Sequence, residues 1–115
     1  MTEIVEYNKI VRTKMQEIIT ANGNTPEIVG YPAADSIDKI KNKIREEVNE
    51  LIEAKSADLI IEEAADVIQI ILDYLRVIEY GPEELEIVRL AKEIKRGSFI
   101  SENGMISYLS HVQNN

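Results

Sequence analysis

REEVNELIEAKSADLIIEEAADVIQIILDYL (residues 45–75) contains the pattern on which the fold prediction depends. Its apolar residues recur at three- and four-residue intervals, which is typical of helices with a buried face. The segment AKSAD interrupts this spacing, and Ser56 within it can cap a following helix. The stretch therefore predicts two helices joined by a short connection, and we expect them to pack as an antiparallel hairpin.

Helical patterns also occur on both sides of this hairpin. NKIVRTKMQEIITANG (residues 8–23) has helical spacing up to the stop signal Asn22-Gly23. The second helix is expected to begin at Asp35 or Ser36, after an irregular connection. The sequence thus predicts an all-α, four-helix bundle-type domain over residues 1–115.

The C-terminal part of the chain contributes the fourth helix. The third helix is expected to run from about Ala57 to Tyr80, before the breaker Gly81-Pro82. Pro82 suits the first turn of a fourth helix that ends near Arg96. Beyond it, Asn103-Gly104 predicts a turn within a short β-hairpin.

The composition excludes several classes of function. The net charge is −8, whereas nucleic-acid binding needs cations that face phosphates, so we expect no nucleic-acid partner. The absence of cysteine excludes disulfides, thiolate zinc sites and cysteine nucleophiles. The one histidine, His111, is expected at the surface. No signal peptide or membrane-spanning stretch is evident, which predicts a cytoplasmic protein without a membrane partner.

Two pairs of acidic residues occupy unusual positions on the predicted hairpin. Glu47 and Glu50 lie one helical turn apart at the edge of the apolar stripe of the second helix. Glu63 and Asp66 have the same spacing on the third helix, where Glu63 falls inside an apolar arc. If the two helices pack antiparallel, all four carboxylates converge on one site.

Convergence of four carboxylates is unfavourable without a counter-ion. Repulsion between two charges is about 4 kcal/mol at about 4 Å for an effective dielectric of about 20. Desolvation adds a cost and favours the protonated forms. A divalent cation removes both costs, and an all-oxygen ligand set suits Mg²⁺, with Mn²⁺ as the alternative. We therefore predict that these four acids bind Mg²⁺, which would connect the acidic protein to a phosphate ligand.

Other interpretations of the acids remain open. A Glu-Glu-x-x-Glu run is often a solvated helix face supported by neighbouring cations, and Lys43 and Arg45 are available for this. Glu63 can also be a structural acid paired with an arginine. A di-iron carboxylate site is disfavoured, because such sites use Glu-x-x-His motifs and the predicted helices contain no histidine.

The acidic motifs resemble those of a known superfamily. EEVNE (residues 46–50) and EEAAD (residues 62–66) are similar to the Glu-x-x-Glu and Glu-x-x-Asp motifs of MazG-like all-α nucleoside triphosphate pyrophosphohydrolases. YNKIVRTKMQEII (residues 7–19) and KRGSF (residues 95–99) resemble one branch, many of whose members are described as phosphoribosyl-ATP pyrophosphohydrolase-like. Thr13 departs from that branch, which usually has Asp there.

This resemblance implies a reaction and roles for individual residues. The expected reaction is hydrolysis of a nucleoside triphosphate between its α and β phosphates, which gives a nucleoside monophosphate and pyrophosphate and would clear unwanted nucleotides from the pool. Either Glu46 or Glu47 would accept the proton of the attacking water. The candidate phosphate contacts are cations that can also be ordinary surface residues: Lys9, Arg12, Lys14 and Lys43.

The resemblance also implies a homodimer or homotetramer. The third helix is apolar around most of its circumference, which agrees with a subunit interface. Two other functions remain open. Phosphoribosyl-ATP as the substrate is disfavoured by DVIQII (residues 66–71), where the histidine-biosynthesis enzymes have Leu-Tyr-His. A non-catalytic helical oligomerisation module is disfavoured by the complete acidic set.

Overall fold

A computed structural model describes residues 3–115, and its regular structure is entirely helical. Four α-helices and one short 3₁₀-helix occur in this range, and no β-strand does, so the all-α prediction is confirmed. In chain order the elements are α1 (Met15–Ala21), the 3₁₀-helix (Ala33–Asp35), α2 (Ile37–Glu53), α3 (Ala57–Val77) and α4 (Pro82–Arg96).

The chain divides into two compact units. The first ends at Glu79 and contains α1, α2 and α3. The second is Tyr80–Asn115 and contains α4. A single domain over residues 1–115 remains a prediction.

Helix α1 is shorter than its apolar spacing predicts. It begins at Met15 rather than near Asn8, and Asn8 has a left-handed backbone with φ of 47°. The predicted stop is confirmed, because the Asn22 N–H closes the last turn and Gly23 follows with φ of 86°. The residues before Met15 interact instead with α2 and α3, so tertiary contacts outweigh the local helical pattern there.

Helices α2 and α3 pack against each other across a connection of three residues, 54–56. The Ser56 Oγ accepts a hydrogen bond from the Leu59 N–H at 3.2 Å, so the predicted cap of α3 is confirmed. Ser36 also precedes a helix, but its Oγ donates to the Pro32 carbonyl and caps nothing. Helix α3 ends at Val77, and the left-handed Glu79, with φ of 65°, follows the helix.

The interior of this helix pair is small. The buried hydrophobic residues are Ile40 of α2 and Ile70 of α3. Other apolar residues of the pair remain largely exposed, including Ile52 at 73%, Ile61 at 68% and Ile68 at 58%. Helix α3 therefore presents one apolar side to α2 and leaves another uncovered, as expected of a helix that is apolar around most of its girth.

In the second unit, α4 has the predicted ends. Pro82 occupies its first turn, and the Gly81 N–H donates to the Glu84 carboxylate. Gly97 follows with φ of 80°, which favours glycine.

The predicted hairpin after α4 is wrong. Asn103 and Gly104 do form a turn, in which the Gly104 N–H donates to the Ser101 carbonyl at 2.9 Å. No strands flank this turn among the described residues. An isolated two-stranded hairpin is only marginally stable in water, so a local turn signal alone does not produce strands.

None of the helices in the described part of the chain combines the length and apolar character needed to cross a bilayer.

Ser56 and Ser36, which precede α3 and α2, provide a test of the N-terminal cap of α3. Ser56→Ala should lower the free energy of unfolding by about 1 kcal/mol, because the Leu59 N–H loses its partner at the helix end. Urea unfolding followed by circular dichroism measures this change. Ser36→Ala is the matched control and should cost less than half as much, and equal losses in both variants would contradict the cap.

Candidate functional site

The four acids predicted to bind a metal lie together. Helix α2 positions Glu47 and Glu50, and α3 positions Glu63 and Asp66. One carboxylate oxygen from each residue lies within 4.8 Å of the corresponding oxygens of the other three. These residues are called the acidic cluster below.

Two oxygens of the acidic cluster are buried without a hydrogen-bond partner. They are Glu47 Oε2 and Glu63 Oε2. Glu47 is only 7% exposed, although the sequence pattern places it at the edge of the apolar stripe. A buried carboxylate oxygen without a partner carries an uncompensated desolvation cost, which a bound cation would remove.

Lys43 forms an ion pair with the other carboxylate oxygen of Glu47. Its ammonium lies 3.0 Å from Glu47 Oε1 and 3.2 Å from Glu46 Oε1. Burial opposes the charge on Lys43, but hydrogen bonds to Glu47 and Glu46 and their charges outweigh it and raise the pKa of Lys43. Lys43 thus remains charged, and Glu47 keeps one oxygen on a cation and directs the other to the cluster.

The crowding of the carboxylates changes the pKa of Glu50. Partial desolvation, followed by the negative charges of Glu47 and Glu63, raises the pKa of Glu50 to about 7. Near neutral pH a proton on Glu50 therefore relieves part of the repulsion. A cation bound by the cluster would replace that proton.

A cavity of about 220 Å³ borders the acidic cluster. Glu47 and Asp66 line it at the cluster. Three of the four cations predicted to contact phosphate, Lys9, Arg12 and Lys43, also line it. The rest of the wall combines apolar and polar side chains: Ile10, Val11, Met15, Ile70, Gln69 and Asp73.

The fourth predicted cation lies elsewhere. Lys14 is exposed at the N-terminal end of α1 and does not line the cavity. The helical pattern of residues 8–23 cannot show that Lys14 differs from Lys9 and Arg12 in its position relative to the cavity, because the segment that carries Lys9 and Arg12 is irregular rather than helical.

Glu46 and Asp66 both interact with cations of the irregular segment. Glu46 is half-buried, and its Oε1 lies 3.7 Å from the Lys9 ammonium. The Arg12 guanidinium donates to Asp66 Oδ1. These contacts join distant parts of the sequence, and a helical wheel cannot predict them.

Two polar residues in the cavity wall were not assigned to the site from the sequence. Gln69 and Asp73 follow Asp66 along one strip of α3, and Gln69 Nε2 lies 3.4 Å from Asp73 Oδ1. The spacing of this strip is visible in the sequence. Its direction relative to the cavity depends on how Arg12 and its neighbours fold over α3, which the sequence pattern does not reveal.

The raised pKa of Glu50 predicts how stability depends on pH. The folded state holds a proton on Glu50 up to about pH 7, whereas the unfolded state releases it near the ordinary glutamate pKa of 4.5. In the absence of divalent ions, the free energy of unfolding should therefore fall as pH rises from about 5 to about 8. The loss should be about 1 kcal/mol, because solvent screens this rim position.

Chemical denaturation at several pH values, in a chelator, measures this dependence. Glu50→Gln should remove that part of the decrease, while Glu53→Gln, three residues further along α2, should retain it. The same slope in both variants would contradict the assignment to Glu50.

Comparison with known proteins agrees with the geometry. The family model for phosphoribosyl-ATP pyrophosphohydrolase matches residues 11–77, which is more than half of the chain and includes the acidic cluster. Searches of curated proteins and of solved structures give no match. The resemblance inferred from the motifs is thus confirmed. The chain belongs to the phosphoribosyl-ATP pyrophosphohydrolase family, within the MazG-like all-α superfamily, and is a hydrolase that acts on acid anhydrides.

Proposed function

We propose that the protein is a Mg²⁺-dependent nucleoside triphosphate pyrophosphohydrolase that releases a nucleoside monophosphate and pyrophosphate. The observation that carries this proposal is the pair of buried, unpartnered oxygens of Glu47 and Glu63 within the acidic cluster, whose Glu47 and Asp66 also line a cavity together with three cations. Family membership supplies the class of reaction.

The acidic cluster suits a hard divalent cation. All its donors are carboxylate oxygens, which Mg²⁺ and Mn²⁺ prefer and which suit soft metals poorly. Glu47, Glu50, Glu63 and Asp66 would hold the ion. When bound, it would neutralise charge on the phosphate oxygens and lower the pKa of a coordinated water.

The cavity wall contains both cationic and apolar side chains, which suit the two parts of a nucleotide. The cations of Lys9, Arg12 and Lys43 lie where phosphate groups would extend from the cluster. The apolar side chains of the wall, such as Val11 and Ile70, suit the sugar and the base. A phosphate ligand would thereby bind to a protein of net charge −8 through a local reversal of charge.

Glu46 and Glu47 are the candidate proton acceptors. In the reaction, the water oxygen forms a bond to one phosphorus atom while the bond from that phosphorus to the bridging oxygen breaks. The departing phosphate group keeps the electron pair, and a carboxylate takes the proton of the water. Glu47 already divides its oxygens between Lys43 and the cluster. Glu46 lies outside the cluster and retains one oxygen free of Lys43 and Lys9, so we favour Glu46 as the base.

Phosphoribosyl-ATP is the second candidate substrate. The description of the matching family favours it. DVIQII in residues 66–71 differs from the Leu-Tyr-His of the histidine-biosynthesis enzymes and favours other nucleotides. Both substrates would use the same acidic cluster.

We also propose that the protein is a homodimer or homotetramer. Exposed isoleucines on α2 and α3, among them Ile52, Ile61 and Ile68, form apolar surface that a monomer leaves in water. Burial of such surface stabilises an association by about 25 cal/mol per Å² before the costs of binding.

The function is tested by measuring pyrophosphate release from a panel of nucleoside triphosphates and phosphoribosyl-ATP. Activity should require Mg²⁺ or Mn²⁺, and Mg²⁺ should raise the melting temperature of the protein. Glu50→Gln should lower kcat/KM by about 100-fold or more and abolish the rise in melting temperature, because the cluster loses a ligand. Glu53→Gln, a matched change on α2, should leave both unchanged.

Two results would decide against parts of this proposal. If Mg²⁺ neither stabilises the protein nor permits pyrophosphate release from any substrate, the enzymatic proposal fails and the scaffold alternative gains support. If phosphoribosyl-ATP alone is cleaved, the reaction class is correct and the preferred substrate is wrong.

Light scattering coupled to size exclusion tests the association. A mass at least twice the 13.1 kDa of one chain is expected at micromolar concentration. Ile68→Glu should dissociate the assembly, because it places a charge in the apolar surface of α3. Val29→Glu, at an equally exposed loop position, should not, and a 13.1 kDa species for the unmodified protein would rule out the oligomer.

A further inference from the structure

We propose that Arg12 is an exchangeable partner of the site. Before a metal binds, it neutralises Asp66, and once the metal has taken Asp66, it contacts a phosphate of the substrate. This inference rests on the proposed function, because it needs both a cation in the acidic cluster and a phosphate in the cavity.

The ion pair between Arg12 and Asp66 is exposed and can be broken at small energetic cost. The guanidinium donates to Asp66 Oδ1, and the two side chains are 60% and 38% exposed. Exposed ion pairs contribute little net stability because water and salt compete with them. A divalent cation at Asp66 can therefore displace Arg12 at small cost.

The ion pair between Lys43 and Glu47 has the opposite character. Both residues lie on α2, one turn apart, and both side chains are largely buried. Their contact leaves Glu47 Oε2 free for the cluster. Each cation thus contacts one oxygen of a proposed ligand, but Lys43 does so in a largely buried pair and Arg12 in an exposed one.

The position of Arg12 suits the second half of the exchange. It lies in the irregular segment before α1 and lines the same cavity as Lys9 and Lys43. A guanidinium has a planar set of donors that matches phosphate oxygens as well as carboxylate oxygens. A rotation of the side chain within the cavity is therefore sufficient to change partners.

This exchange would make cation binding and phosphate binding cooperative. The cation releases Arg12, and the released guanidinium strengthens the binding of the phosphate. Without the cation, Arg12 remains paired with Asp66, and one of the three cations that line the cavity is unavailable to the phosphate.

The first measurement is calorimetric titration of the nucleotide-free protein with Mn²⁺ at fixed ionic strength. Arg12→Gln should tighten Mn²⁺ binding by about 2- to 5-fold, which is the size expected when a competing exposed ion pair is removed. Lys14→Gln is the matched control. It removes the same charge two residues away, outside the cavity, and should change the affinity by less than about 1.5-fold.

The second measurement is binding of methylenediphosphonate, a non-hydrolysable analogue of pyrophosphate, to the Mn²⁺-loaded protein. Arg12→Gln should weaken it by about 10-fold or more, since a charge-assisted contact to the phosphonate is lost. Lys14→Gln should have no effect. Arg12→Lys should weaken binding by an intermediate factor, because lysine retains the positive charge but lacks the planar donor set of the guanidinium.

The outcomes separate this inference from the proposed function. If Arg12→Gln changes Mn²⁺ affinity no more than Lys14→Gln, or leaves methylenediphosphonate binding unchanged, the exchange is wrong while the enzyme proposal stands. If the unmodified protein binds no Mn²⁺, the proposed function fails and the exchange fails with it. Melting curves establish that each variant is folded, which the exposure of Arg12 leads us to expect.

Discussion

Repulsion among carboxylates is the constraint around which the helix pair is organised. Packing of α2 against α3 buries Ile40 and Ile70, and the same packing forces the acidic cluster together. The interactions that stabilise the fold and those that destabilise the site therefore share one interface. Three groups reduce the repulsion among these carboxylates: Lys43, Arg12 and a proton on Glu50.

These three compensating groups differ in how easily they leave. Lys43 is buried on the same helix as Glu47, whereas Arg12 is exposed and comes from an irregular segment. The proton on Glu50 exchanges with solvent near neutral pH. An incoming cation would therefore compete with the proton on Glu50 and with Arg12, while Lys43 stays in place. The site thus combines one fixed compensating group with two that a cation can displace.

The sequence predicts the parts of this molecule that depend on local periodicity. The packing of α2 against α3, the cap at Ser56 and the ends of α4 follow from spacing and from residue preferences at helix termini. The gathering of the acidic cluster follows as well, because both pairs lie at matching edges of two adjacent helices. The prediction is less successful for residues 8–14, where a helical pattern yields to contacts with Glu46 and Asp66. Such contacts depend on the whole chain, so the cavity wall, including Gln69 and Asp73, could not be predicted from a wheel.

The scarcity of buried side chains has a consequence for the life of the protein in a cell. An interior whose buried hydrophobic residues are Ile40 and Ile70 offsets only a small part of the conformational entropy that the chain loses on folding. If neighbouring copies supply the missing burial, mass action makes the folded fraction rise with protein concentration. Newly made chains would then be most vulnerable to proteases while they are scarce, and abundance itself would protect them.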